Sequence, residues 1–94
     1  METREIKVTL PALLAQCVGG AAEVQVQAET LAGALEALVR AHPLLRVHLF
    51  DDAGAQREHV LILYNGQSIR WFPSLDLPLN EGDTISVLQL VSGG

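Results

Sequence analysis

The last two residues of the sequence, Gly93 and Gly94, directly follow a run with strand character in "TISVLQLVSGG", with no charged tail between. A free α-carboxylate at Gly94, with an ordinary pKa near ~3.5, is ionised at neutral pH and can attack the α-phosphate of ATP to give an acyl-adenylate. A partner enzyme must supply the nucleotide site. The chain end must also be narrow enough to thread into that site, and two residues without Cβ allow the closest backbone approach and the widest choice of φ and ψ. The acyl-adenylate is then open to a sulfur nucleophile, giving a thiocarboxylate, or to a cysteine thiol, giving a thioester. In either case the chain is a substrate and no catalytic residue is expected in it. An incidental, disordered end is the competing reading of the same two glycines.

Other residue types that could do chemistry have blander readings. Cys17 with His42, His48 or His59 could be a nucleophile and base, but a lone cysteine is more often a small packed hydrophobe, and nothing in the sequence orients an imidazole against it. His42 reads as a helix-end residue favourable to the dipole. His48 and His59 lack metal-ligand spacing, and Asp51-Asp52 with Gly54 match no calcium loop, so no metal is expected. No phosphate-binding glycine motif occurs, and no cofactor is implied. Trp71 and Phe72, at the end of a strand, read as core or rim packing.

The elements that must position the chain end can be read from periodicity. "IKVTL" sets Ile6, Val8 and Leu10 against Lys7 and Thr9, and "EVQVQ" repeats the alternation with Val24 and Val26. Gly19-Gly20 between them supplies a turn, which makes an N-terminal hairpin. From Thr30 the period becomes helical, with Leu31, Leu35, Leu38 and Val39 on one face. Thr30 can cap the first turn, Glu36 and Arg40 form an outward i, i+4 pair, and His42-Pro43 ends the helix. "LLRVHLF" passes into "DDAGAQRE", which reads as an exposed loop. Asn65-Gly66 between two apolar runs is a strong hairpin signal. A turn-rich connection, "PSLDLPLNEGD", leads to a last strand, "TISVLQLV". This order is that of an α+β fold, one helix packed across one face of a mixed sheet.

A single helix leaves the other face of that sheet open. Val60, Ile62, Tyr64 and Ile69 face one way, while Leu61, Leu63 and Arg70 face the other. On the last strand, Leu88 and Leu90 alternate against Ile85 and Val87 if the parity flips near Gln89. Either these leucines pack a second small core under the "DDAGAQRE" loop, or they form a contiguous patch that meets a partner.

Composition narrows the partner. With 94 residues, 49% of them hydrophobic, the chain can close one core, and one domain over residues 1–94 is expected, ending in a flexible Gly-Gly tail. No apolar run is long enough to cross a bilayer, and "LPALLAQCVGGAA" is too interrupted for a signal peptide. The single cysteine suits a reducing compartment, and a cytoplasmic protein is expected. A net charge of −5 disfavours nucleic acid and anionic membrane, and favours a basic protein partner.

"HVLILYNGQSIRW", "LDLPLNEGDTISV" and the terminal "VSGG" resemble the closing half of the ThiS/MoaD-type sulfur carriers, ubiquitin-like β-grasp proteins. The segment "TLAGALEALVRAHPLLRVHLFDDAG" is similar to the longer members. The resemblance implies a carrier whose Gly94 carboxylate, presented with Gly93, is adenylated by an E1-like, ATP-dependent enzyme and converted to a thiocarboxylate. The sulfur then passes to a biosynthetic enzyme. Cysteine-type pathways come first on overall likeness, molybdopterin next and thiazole third. A partner surface of Leu61, Leu63, Leu88, Leu90, Val91 and Arg70 is expected, ringed by carboxylates such as Glu58, Asp76 and Glu81. Gln89 departs from the proline common in such carriers, and Leu61 and Leu63 replace residues that are often polar. The alternatives are a ubiquitin-like modifier joined to lysines through Gly94, for which Lys7 is the sole side-chain amine, and a β-grasp interaction module.

Overall fold

The computed structural model describes residues 3–90. The elements run β1 (Arg4–Thr9), α1 (Ala12–Ala15), β2 (Glu23–Ala28), α2 (Leu31–Ala41), α3 (Pro43–Leu49), β3 (Val60–Tyr64), β4 (Gln67–Ser68) and β5 (Thr84–Gln89). Short 3-10 turns occupy Gln16–Val18 and Ile69–Trp71. The strands form one mixed sheet in the order β2-β1-β5-β3-β4, with β1 and β5 parallel and the other neighbours antiparallel.

Alternation within the strands decides what the sheet buries. Ile6, Val8, Val26, Val60, Ile62, Ile85 and Val87 point to one face and are nearly inaccessible, joined there by Leu31, Ala34, Leu35 and Leu38 of α2. Burying a leucine of this kind is worth about 1.5–3 kcal/mol. Thr30 caps α2 as its spacing predicts: its hydroxyl accepts from the Gly33 N–H at 3.1 Å. The outward Glu36–Arg40 pair forms at 2.5 Å, exposed and worth only a few tenths of a kcal/mol.

Three local features depart from the sequence reading. Pro43 ends α2 but also begins α3, because at the first helical position its missing N–H has no partner to lose. Leu45 and Leu49 then fall one turn apart and complete the core. The β1–β2 connection is a helical turn followed by a 3-10 turn, in which Gly19, at φ 79°, closes the helical geometry and the Gly20 N–H returns to the Ala15 carbonyl. The Asn65-Gly66 turn forms with φ of 50° and 86°, but β4 is only two residues long before the chain coils into the Ile69–Trp71 turn.

A polar clasp holds the start of β5 to the end of β3. Asp83 accepts from the Tyr64 hydroxyl, from the Asn80 N–H at 2.8 Å and from the Asn65 amide at 3.1 Å. The Asn65 amide oxygen in turn accepts from the Thr84 N–H at 2.9 Å. Slight burial pushes the Asp83 carboxyl up, but the hydrogen bonds from Tyr64, Asn80 and Asn65 together outweigh it and hold the group below its ordinary value. Burial first, then the bond to Asp83 and its charge, push Tyr64 up to about 12.

A carboxyl whose folded pKa is depressed stabilises fully above its unfolded pKa and loses that contribution as pH falls through the folded one. Tyr64→Phe removes one of the bonds that keep Asp83 ionised. Acid unfolding followed by circular dichroism is therefore expected to begin at higher pH in Tyr64→Phe than in the parent, and coincident acid limbs would refute the clasp. At the alkaline end the sign reverses: the phenol's contribution is present below pH ~10 and fades toward 12.

Candidate functional site

The register of β3 and β5 assembles the leucine face. Leu61 lies directly opposite Leu88, and Leu63 opposite Ser86. Leu90 donates its N–H to the His59 carbonyl at 2.7 Å, which continues the ladder one pair further. Leu88 and Leu90 are 44% and 52% exposed, and Leu61 and Leu63 are partly buried. Neither Leu61 nor Leu63 packs against the buried cluster, so the patch reading fits better than a second small core. No parity flip occurs near Gln89: Ile85, Val87 and Gln89 point inward while Ser86, Leu88 and Leu90 point outward, by simple alternation.

The outer face is divided along its length. Toward β1 and β2 it carries Glu5, Lys7, Thr9, Glu23, Gln25 and Gln27, with Lys7 and Glu23 3.7 Å apart. The leucines gather on β3 and the far half of β5, where the chain heads toward its terminal glycines. Val91, Gly93 and Gly94 lie outside the described residues. Of the three carboxylates expected around the patch, Glu58 precedes His59, whose carbonyl accepts from Leu90. Asp76 sits between Leu75 and Leu77, whose carbonyls receive the first N–H groups of α2, and Glu81 belongs to the Asn80–Asp83 turn at the other end of β5.

Arg70 projects from the 3-10 turn, and its guanidinium donates to the carbonyls of Arg57, Glu58 and Val60 at 2.7, 3.0 and 3.0 Å. Because even-numbered residues of β3 aim their backbone groups away from β5, the bond to Val60 occupies the start of the β3 edge that β4 is too short to cover, and the other two fall on the turn just before it. Trp71, next in sequence, is 83% exposed, neither core nor rim. Reading Trp71 and Phe72 as the end of a strand hid this, because the chain leaves the sheet after Ser68. Phe72 does pack, edge-on to Tyr64 with ring centroids 6.2 Å apart.

The Gln89 side-chain oxygen is buried without a hydrogen-bond partner. Its backbone N–H points away from β3, since the even residues of β5 carry that ladder, and past the three residues at which β1 pairs with β5. A proline at this position would therefore cost no ladder bond between β5 and β3.

Nothing else in the described residues gathers reactive groups. No cluster of histidine, cysteine, aspartate or glutamate there could hold a metal ion. Cys17 is partly buried against the core and bonds to no histidine. A depression of about 470 Å³ is open and lies on the helical side between Leu35, Val39, Arg46 and Phe50, away from the leucine face. No helix among the described residues is long and apolar enough to cross a membrane.

Comparison with known proteins matches this architecture. The ThiS family model matches residues 8–94. Small archaeal modifier protein 1 of Haloferax volcanii is 35% identical over 80 residues, covering 82% of this chain and 87% of the relative. The solution structure of the Methanosarcina acetivorans protein of the same name superposes with a TM-score of 0.81 at 29% identity, covering both chains completely. The Amycolatopsis orientalis BexX/CysO complex contains a chain with a TM-score of 0.79 at 21% identity, covering 95% of this chain and 99% of that one, a likeness of fold alone. The fold is the ubiquitin-like β-grasp.

Replacing Arg70 by alanine should lower stability by about 1 kcal/mol, the scale for charge-assisted bonds discounted for their exposure. All three contacts run from one terminal guanidinium nitrogen, and lysine, whose ammonium sits on a shorter stem, should restore only part of it. Urea denaturation measures both, and equal midpoints for all three proteins would show that the latch is decorative.

Proposed function

Since the chain belongs to the ThiS family, we propose that it is a sulfur carrier, a substrate of other enzymes and itself no catalyst. The observation that carries this reading is the placement of a solvent-facing leucine cluster on β3 and β5, with two glycines closing the sequence four residues after Leu90. An E1-like enzyme docks on Leu61, Leu63, Leu88 and Leu90, with Val91 at the margin. Apolar contact there supplies affinity while Gly93 and Gly94 enter the nucleotide site. One oxygen of the Gly94 carboxylate attacks the α-phosphate of ATP and pyrophosphate leaves. A sulfur nucleophile then displaces AMP from the acyl carbon and leaves the thiocarboxylate.

The thiocarboxylate ionises readily and presents a nucleophilic sulfur at neutral pH, in the closed site of an accepting biosynthetic enzyme. A cysteine-type acceptor is the first choice, a molybdopterin-type acceptor the next and a thiazole-type acceptor the third. In this reading residues 1–94 form one carrier unit that works in the cytoplasm. The Arg70 head, committed to three carbonyls, shapes the border of the docking surface more than it meets the partner.

A second reading is favoured by the Haloferax relative, whose name is that of a modifier protein. The same adenylate then passes to lysines of other proteins. Only the acceptor differs, so the acceptor is what has to be measured.

Intact mass spectrometry of the protein from its own cells should show an oxygen-to-sulfur exchange confined to the C-terminal peptide, and deletion of Gly94 should abolish it. Isopeptide-linked Gly-Gly remnants on other proteins, without that exchange, would transfer the assignment to the modifier. Leu61→Asp and Leu88→Asp should raise KM for adenylation about tenfold or more, the scale for losing a central contact. Their unfolding midpoints should move little, because both side chains face outward. Unchanged KM in both variants would remove the leucine face from the docking surface.

A further inference from the structure

The two edges of the sheet are treated differently. At the β4 edge, the last strand is two residues long and the Arg70 guanidinium occupies carbonyls beside β3. At the other edge β2 runs six residues, Glu23–Ala28, with no proline, lysine or bulge to blunt it. The ladder fixes which of its backbone groups are free. Leu10 donates to the Ala22 carbonyl at 2.8 Å, so the even residues of β2 bond to β1 and the odd ones, Glu23, Gln25 and Gln27, aim their N–H and C=O groups outward. None of those three carries a backbone bond on that side among the described residues.

We propose that this edge pairs with the same edge of a second copy, antiparallel about a two-fold axis at Gln25. The sequence "EVQVQ" is complementary to itself in that register. Gln25 faces Gln25 of the second copy, and Glu23 faces Gln27 on either side, so each carboxylate meets an amide donor. The three pairs engage every free group of Glu23, Gln25 and Gln27, giving six inter-chain backbone hydrogen bonds. Shifting the strands by two residues in either direction leaves four. A shift far enough to set Glu23 against Glu23 of the second copy retains only two and opposes like charges.

On the inner side Val24, partly exposed in one copy, lies opposite Val26 of the other. The far end of β2 borders an open depression of about 390 Å³ between Gln27 and Gly33, Glu36, Ala37 and Arg40 of α2. The interface is isologous and closed, a C2 dimer that ends without propagating into a filament. Both leucine faces stay free on the outer side of the continuous ten-stranded sheet, so the pairing stands apart from the proposed carrier role.

Each copy carries −5, so long-range repulsion opposes the encounter and added salt should tighten the dimer. Sedimentation equilibrium of the full chain across concentration and salt should show a reversible monomer–dimer equilibrium. Gln27→Glu, which sets like charges opposite each other twice per dimer, should raise Kd about tenfold, and Gln27→Lys should lower it by a similar factor. If Gln27→Glu perturbs the monomer through the adjacent Glu5, the lysine variant still carries the test with the opposite sign. Gln25→Pro, which removes an outward donor and no β1 bond, should abolish association. A chain that stays monomeric at all concentrations and salts overturns the proposal. So does a dimer indifferent to these substitutions, or one whose dilution-dependent amide shifts fall on Leu61 and Leu88 and not on Glu23, Gln25 and Gln27.

Discussion

Strand β5 lies between β1 and β3 and is bonded on both sides, so its side chains have only two directions to take. Burying Ile85 and Val87 beneath the helices commits Ser86, Leu88 and Leu90 to the opposite face. No helix reaches that face, because α2 and α3 lie on the inner side of the sheet. The exposed leucines thus follow geometrically from how the core is filled, and their position beside the chain's exit is set by the same strand. Core and candidate contact surface are two sides of one pleat.

Most of the framework could be read from the sequence, because each element is locally consistent. The alternation in "IKVTL" and "EVQVQ", the helical period from Thr30 and the Asn-Gly turn each name their structure without help from distant residues. The misread places are those where distant contacts decide. Leu45 and Leu49 have helical spacing, but seven residues behind a proline are too short to announce a helix, and burial against the sheet makes the difference. The early end of β4 depends on Arg70 finding carbonyls 10 to 13 residues upstream. No local pattern encodes that.

The candidate surface was legible for the same reason as the core, by parity, and the leucine pairing across β3 and β5 needed only the register. Its rim was not. Asp76 lies in a segment bonded to the start of α2, and Glu81 lies in the turn that precedes β5, at the end opposite Leu88 and Leu90. Gln89 departs from the proline common in such carriers. Its physical meaning, a strand position with no ladder bond toward β3 to lose, required the pairing to be known.

The parallel contact between β1 and β5 joins segments more than seventy residues apart, so the centre of the sheet stays empty until nearly the whole sequence is available. Synthesis from the ribosome therefore cannot finish this fold early: the N-terminal hairpin and α2 wait for the strand that fills the gap between them and β3. The outward face of Leu88 and Leu90 therefore exists only in a chain whose central strand is already in place.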